Sequence, residues 1–328
     1  VLLETQDRGV TFRGVAEDMA RMYPASLEEA ELALDVQKDV WHVERDGAQL
    51  LRDLERAALA ATRQVMKLEE RLLKQWDDTL FEEQYIPAVA KEEARYAQHA
   101  HFSTWLDHLC DALEVVDLAS GEVRDRATNA WLLEECLTAL EQMAEKRVAK
   151  WVRSLRRHQG QLLTYLVWLH EALAPYEQEL ASHLPDPTAS KQFMRLVART
   201  WRLRQACING HTQFTAWART TEAALHEALG GSSTLAQYAQ RLWEILDGAV
   251  RASSLVECIN GLLKQFLRNR RSFRNCVTLQ HYLNLFTLWH NMRVYQRGKR
   301  QGQSPYQIAG IQPDTDDWLE LIGYPPVA

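Results

Sequence analysis

Apolar side chains recur at intervals of three and four residues along most of this chain, a spacing typical of amphipathic helices. The clearest series runs from Leu50 to Trp76 and predicts one long helix. The same periodicity continues through approximately 91–114, 126–157, 160–183, 189–229 and 234–250. Gly, Pro, Asp and Ser occupy the breaks between these stretches. We therefore predict that residues 47–250 form a helical region with its own apolar core.

The first 46 residues follow a different pattern. Val1–Gln6 is typical of the end of a strand, and apolar residues on one face of 12–22 predict a short helix. Alternation of apolar and other residues over 32–36 predicts a second strand. Helices return near the other end of the chain, one starting at Ser254 and a very apolar one from about Val277 to Tyr295. The fold class expected from these patterns is mainly α with a small α/β part.

Charge is distributed unevenly along the 328 residues. Residues 251–300 hold ten Lys or Arg and a single acid, Glu257, whereas the rest of the chain holds 28 basic and 43 acidic residues. A lone carboxylate in a positive field suggests a metal site beside a polyanion. No apolar run has the length of a membrane span. The five cysteines are scattered without zinc-ligand spacing, which favours a reducing, cytoplasmic setting.

The helix that carries Glu257 combines this carboxylate with cations. Glu257, Asn260, Lys264 and Arg268 share one face, so the carboxylate heads a stripe that becomes basic. A rigidly held metal ligand near phosphate-binding cations suits phosphodiester chemistry. The competing interpretation is a capping box from Ser254 to Glu257 that begins a helix with a solvated basic face.

Two separated segments resemble the catalytic region of bacterial insertion-sequence transposases of the DDE type. The matching C-terminal pieces are Ser253–Asn260, Leu288–Arg293 and Arg297–Pro305, in which a Val-Glu pair two residues before Asn is followed by His-Asn-x-Arg and Arg-Gly-Lys-Arg. The matching N-terminal pieces are Gln6–Gly9 and Lys38–His42. The helical middle is similar to the family in character alone, because such transposases often carry a helical insertion between their last two carboxylates.

The resemblance implies a partial ribonuclease-H-like α/β core split by a large all-helical insertion. The expected domains are 1–46 for the first part of the core, 47–250 for the insertion, 251–311 for the second part, and 312–328 for a tail. The implied catalytic and metal ligands are Asp7 and Glu257, which would hold two Mg²⁺ ions, with Mn²⁺ as an alternative. The family's first aspartate is expected upstream of Val1, so this chain alone is not expected to catalyse.

The resemblance also implies partners and a setting. The expected partners are DNA, both the element ends and the target, and further copies of the chain in a dimer or larger complex. The expected place is the bacterial cytoplasm, at the nucleoid. The side chains expected to contact DNA phosphates are Lys264, Arg268, Arg270, Arg271, Arg274, Arg293, Arg297, Lys299 and Arg300.

Several alternatives remain open at the level of sequence. Asp35 and Asp39 compete with Asp7 for the second carboxylate, and His42 either touches the scissile phosphate or satisfies local hydrogen bonds. Six cations within 146–157 either form a solvated face or follow a phosphate backbone. The rival functions are a non-catalytic DNA-binding or scaffold protein derived from a transposase, and a helical coiled-coil interaction protein.

Overall fold

The computed structural model divides the chain into two compact units, Val1–Ser253 and Ser254–Ala328. The structure describes residues 11–12, 14–17, 34–184, 186–252, 254–268, 272–273, 275–296, 301–315 and 317–324, and for 254–258 the backbone alone. The predicted strand end at Val1–Gln6 lies outside these residues.

The first unit is a body of helices, which confirms the mainly helical fold class. We call residues 40–251 the helical body. Its long helices are α1 (Val40–Lys74), α2 (Ile86–Ala112), α3 (Arg126–Glu141), α4 (Lys146–Leu162), α5 (Thr164–His183), α6 (Pro187–Ile208), α7 (Thr215–Leu229) and α8 (Ser233–Asp247). Short helical turns at Asp78–Leu80, Phe81–Tyr85 (a π-helix) and Thr212–Phe214 connect some of them.

Helix α1 begins at Val40, earlier than the predicted start at 47, because Asp39 caps it. The Asp39 carboxylate accepts a hydrogen bond from the His42 N–H (3.2 Å), which satisfies one of the free donors at the helix start. One face of α1 is buried at the spacing the sequence predicts, and it packs on α2. At Gly47 the helices come so close that a Cβ would lie 2.5 Å from Leu106 Cδ1 and 3.2 Å from Trp151 Cζ2.

The apolar core of the helical body is continuous across these helices. Its fully buried members include Phe102 and Leu109 of α2, Leu137 of α3, Val152 of α4 and Leu166 of α5. Helices α6 and α8 add further buried side chains to the same cluster. Burial of this apolar surface is the main term that stabilises the unit.

Two short parallel strands lie at one side of this core. Strand β1 (Gly14–Glu17) pairs with β2 (Asp35–Lys38) in a register that places Glu17 opposite Lys38. The short helix predicted over 12–22 is therefore wrong for residues 14–17. A few apolar residues at helical spacing are a weak local signal, and pairing with a neighbouring strand overrides it.

Strand β2 is bound to the junction between α4 and α5. The Gln37 side chain donates to the Leu162 carbonyl (3.0 Å) and accepts from the Tyr165 N–H (2.7 Å), and the Thr164 hydroxyl donates to the Val36 carbonyl (2.9 Å). The two Gln37 bonds satisfy backbone groups that the end of α4 and the start of α5 leave without helical partners. The strand and the helical body are thus one packed unit.

The second unit contains α9 (Ser254–Leu267) and α10 (Cys276–Met292), as the sequence predicts, and ends in short turns at Pro305–Ile308 and Glu320–Ile322. Phe266 of α9 packs against Phe286 and Trp289 of α10, with ring centroids 5.5 and 6.2 Å apart. Among the described residues, the sheet consists of strands β1 and β2 of the first unit. The partial ribonuclease-H-like core stays a prediction.

Candidate functional site

The residues predicted to bind metal fall at the limits of the described structure. Asp7 lies outside the described residues, and Glu257 lies in the first turn of α9, where the helix but not the side chain is described. Six predicted DNA contacts also lie outside the described residues, namely Arg270, Arg271, Arg274, Arg297, Lys299 and Arg300. Their roles, and any approach of Asp7 to Glu257, stay predictions.

The described cations of the second unit are accessible. Lys264 is exposed on α9, Arg268 is exposed directly after its last residue, and Arg293 is exposed just after α10. The Arg293 guanidinium lies over the Trp289 ring, 5.2 Å from its centroid, which orients the cation while leaving it charged. Burial and, secondarily, the charge of Arg293 lower the pKa of His290, so this imidazole is neutral near pH 7. The exposed cations of this unit thus lie on or next to two helices that pack through a small cluster of aromatic rings.

The carboxyl end of the strand pair gathers four polar side chains of the first unit. Glu17 at the end of β1 and Lys38 at the end of β2 form a buried ion pair, with both side chains 2% exposed. Asp39 follows directly as the cap of α1, and its carboxylate also lies 3.2 Å from His42 Nδ1. The second carboxylate oxygen of Glu17 is buried and has no hydrogen-bond partner among the residues described. In open parallel sheets this edge is where ligands bind.

The chain returns from the helical body to the same place. The Val40 N–H donates to the Arg251 carbonyl oxygen (2.9 Å), so the two ends of the helical body are joined by one hydrogen bond. The Arg251 guanidinium is held by the Leu113 carbonyl (3.1 Å) and by Glu114 (3.0 Å). Arg202 contacts the other oxygen of Glu114 at 2.7 Å. This charged cluster fixes the position of residue 251 beside the cap of α1.

Glu44 belongs to the same cluster. Its carboxyl is partly buried, and this burial raises its pKa, although the nearby Arg251 opposes the shift. Glu114 adds a like charge that acts in the same direction as burial. Ionisation of Glu44 therefore lowers the stability of the folded state.

The structure describes both rival carboxylates named from the sequence. Asp35 is exposed at the start of β2, at the opposite end of the strand from Lys38. Asp39 is buried, caps α1 and contacts the His42 imidazole. His42 therefore has a partner close in sequence, which agrees with the interpretation that it makes local contacts. Within the described ranges, no group of three or more His, Cys, Asp or Glu side chains is arranged to hold a metal ion.

Sequence reasoning missed both the Glu17–Lys38 pair and the anchoring of Arg251. Nothing in the sequence Asp35–Lys38 indicates that Lys38 is buried, because its partner Glu17 is identified only by the strand register. By sequence Arg251 belongs to the basic region, whereas in the structure its guanidinium is bound to Glu114 and Leu113. Only the long-range pairing shows that this cation belongs to the helical body.

Comparison with known proteins adds no relative. No protein-family model matches the chain, and neither a curated protein nor a solved structure matches it. No helix in the described part of the chain is long and apolar enough to cross a membrane.

Proposed function

We propose that this chain belongs to the catalytic region of a DDE-type DNA transposase, which cleaves DNA at the ends of an insertion sequence and joins them to a target. The observation that carries the proposal is the hydrogen bond between Val40 and Arg251. A helical segment of more than two hundred residues leaves and re-enters the same point, at the carboxyl end of a parallel strand. An insertion that splits a catalytic core is expected to have this geometry.

The position of Glu257 in the chain agrees with this reading. It comes six residues after Arg251, in the first turn of α9. A catalytic carboxylate on the first helix after the insertion is what the motif resemblance implies. A helix is also a rigid support for a metal ligand, as a precise site requires.

The metal chemistry would come from carboxylates, the ligands that Mg²⁺ prefers. Two bound ions would activate the attacking oxygen and stabilise the leaving oxygen of the phosphodiester. Asp7 and Glu257 remain the proposed ligands. Strand β1 adds a rival to Asp7, because Asp18 is the residue that directly follows the strand in the sequence. Asp18 itself lies outside the described residues.

The exposed cations of the second unit support DNA as the substrate. Lys264, Arg268 and Arg293 are accessible in a region whose only acid is Glu257. Such a field attracts phosphates and releases their counterions on binding. The proposal places the DNA backbone on α9 and on the residues after α10.

The test uses the protein encoded by the intact reading frame and duplex DNA from the sequences that flank it. Glu257→Gln should abolish Mg²⁺-dependent strand cleavage and leave DNA affinity nearly unchanged, because Gln keeps the size and loses the charge that the metal needs. Glu83→Gln, the same change at an exposed position of the helical body, is the control. Asp7→Asn and Asp18→Asn, compared side by side, identify the second ligand.

Each outcome separates the interpretations. The capping-box interpretation expects Glu257→Gln to cleave normally, with a stability loss of typically about 1 kcal/mol. Normal cleavage by a folded Glu257→Gln protein would remove the catalytic assignment. A wild-type protein that binds the DNA but cleaves with neither Mg²⁺ nor Mn²⁺ would favour the non-catalytic DNA-binding alternative.

A further inference from the structure

Helix α4 carries a row of exposed cations on the face opposite the core. Lys146, Lys150, Arg153 and Arg157 recur at spacings of four, three and four, and we call them the basic stripe. At 3.6 residues per turn these positions fall within about 60° of arc around the helix. All four side chains are exposed, whereas Val148, Val152 and Leu155 on the opposite face are buried.

The other two cations of α4 are neutralised by the protein itself. Arg147 lies 2.5 Å from Asp53 of α1. Arg156 binds Glu134 and Glu141 of α3, each at 2.6 Å, and these contacts raise the pKa of its guanidinium. The protein thus places acids beside the flanks of α4.

The described residues provide no such partner for the basic stripe. Its four cations form no ion pair with a carboxylate in the parts of the chain that are described. Helix α4 also contains no acidic residue of its own. Among the described residues, the stripe is therefore a row of positive charge without paired acids, in a chain whose net charge is −6.

We propose that the basic stripe binds the sugar–phosphate backbone of double-stranded DNA. Side chains three and four residues apart on a helix are about 5–6 Å from one another, and the stripe rises about 16 Å along the axis. A regular row of this length complements the regular charges of a phosphate backbone. The proposal extends the proposed function to a second DNA contact on the helical body, and it rests on that function for the identity of the polyanion.

The surroundings of the stripe favour duplex DNA over two other anionic partners. A helix that binds a membrane surface needs exposed apolar side chains beside its cations. Among the residues described, the large exposed hydrophobics include none on α4. Single-stranded DNA is bound by aromatic rings that stack on its bases, but Trp151 of α4 packs against Phe102 (5.9 Å between centroids).

The experiment compares two fourfold variants of the full protein. The stripe variant replaces Lys146, Lys150, Arg153 and Arg157 with Gln. The control variant replaces Arg63, Lys67, Arg71 and Lys74 of α1 with Gln. The control cations are also exposed and helically spaced, but Glu69 and Glu70 lie among them. Affinity for a labelled duplex of unrelated sequence is measured at several salt concentrations, after circular dichroism shows that both variants fold.

The stripe variant should bind at least about tenfold more weakly at low salt, with a slope of log affinity against log salt flatter by up to ~3–4 units. The control variant should change both quantities much less. An unchanged slope in a folded stripe variant, or an equal loss in the control, overturns the proposal. So does stripe-dependent binding to phosphatidylserine vesicles with duplex affinity unaltered. Because Glu257→Gln affects cleavage and not this slope, failure of the stripe and failure of the proposed catalytic function are distinguishable.

Discussion

The buried pair of Glu17 and Lys38 offers the sharpest test of the strand register. Both side chains are 2% exposed, so removal of the Lys38 charge leaves the Glu17 carboxylate buried without this partner. Breaking such a pair costs about 3–5 kcal/mol. We expect Lys38→Met to lower the stability of the first unit by this amount. At a urea slope of about 3 kcal/mol per molar, the unfolding midpoint would fall by roughly 1 M or more.

A double mutant separates the charge from the packing. Glu17→Leu combined with Lys38→Met removes both buried charges, and such replacements are often neutral or stabilising. The double variant should therefore unfold at higher urea than Lys38→Met alone, which gives a large coupling energy in the mutant cycle. Unfolding is followed by far-ultraviolet circular dichroism.

An exposed pair provides the control. Arg195 and Glu122 also form an ion pair, but their side chains are about half exposed. Arg195→Met should cost about 0–1 kcal/mol, since water screens the remaining charge. If Lys38→Met shifts the midpoint no more than Arg195→Met, the two strands do not meet in the described register and the reasoning is refuted.

Two further predictions concern the helical body. Gly47→Val should lower the free energy of unfolding by about 1–3 kcal/mol, because its Cβ would lie 2.5 Å from Leu106 and 3.2 Å from Trp151. Gly160→Ala, with no contact closer than 3.5 Å, should not lower it, and equal shifts of the urea midpoint would contradict the close approach. Burial raises the folded-state pKa of Glu44 above its ordinary value of 4.5, so the stability that its protonated form confers is present below that value and is lost as pH rises through the folded pKa. Glu44→Gln should therefore raise the midpoint at pH 7 and change it less at pH 4, and a midpoint that falls at pH 7 would contradict this assignment.

The long helices were predictable because their signal is repeated many times. The α1 series includes Leu50, Leu54, Val65 and Leu68, and all four are buried against the rest of the body. Its last member, Trp76, is 62% exposed because α1 ends at Lys74. Periodicity thus fixes which face is buried over many turns but not where a helix ends, which depends on local capping.

The strand pair and the polar contacts could not be predicted in the same way. Strand β1 has four residues, and its identity depends on pairing with β2 across an intervening segment of the chain. The six cations of α4 look alike in the sequence, yet Arg147 and Arg156 are paired with acids on other helices. Such distinctions arise from contacts between distant segments, and a residue-by-residue pattern does not contain them.

The closure of the helical body at Val40 and Arg251 has a consequence for how this architecture can vary. Because one hydrogen bond joins its two ends, helices that touch neither β2 nor the cluster around Arg251, such as α7, can change in length without changing the geometry of the strands. Closing a longer loop costs little additional entropy, about 0.6 kcal/mol for each doubling of its length. Pairs of antiparallel helices can accordingly be gained or lost at the far side of the body without moving Asp39 or the strand that precedes it.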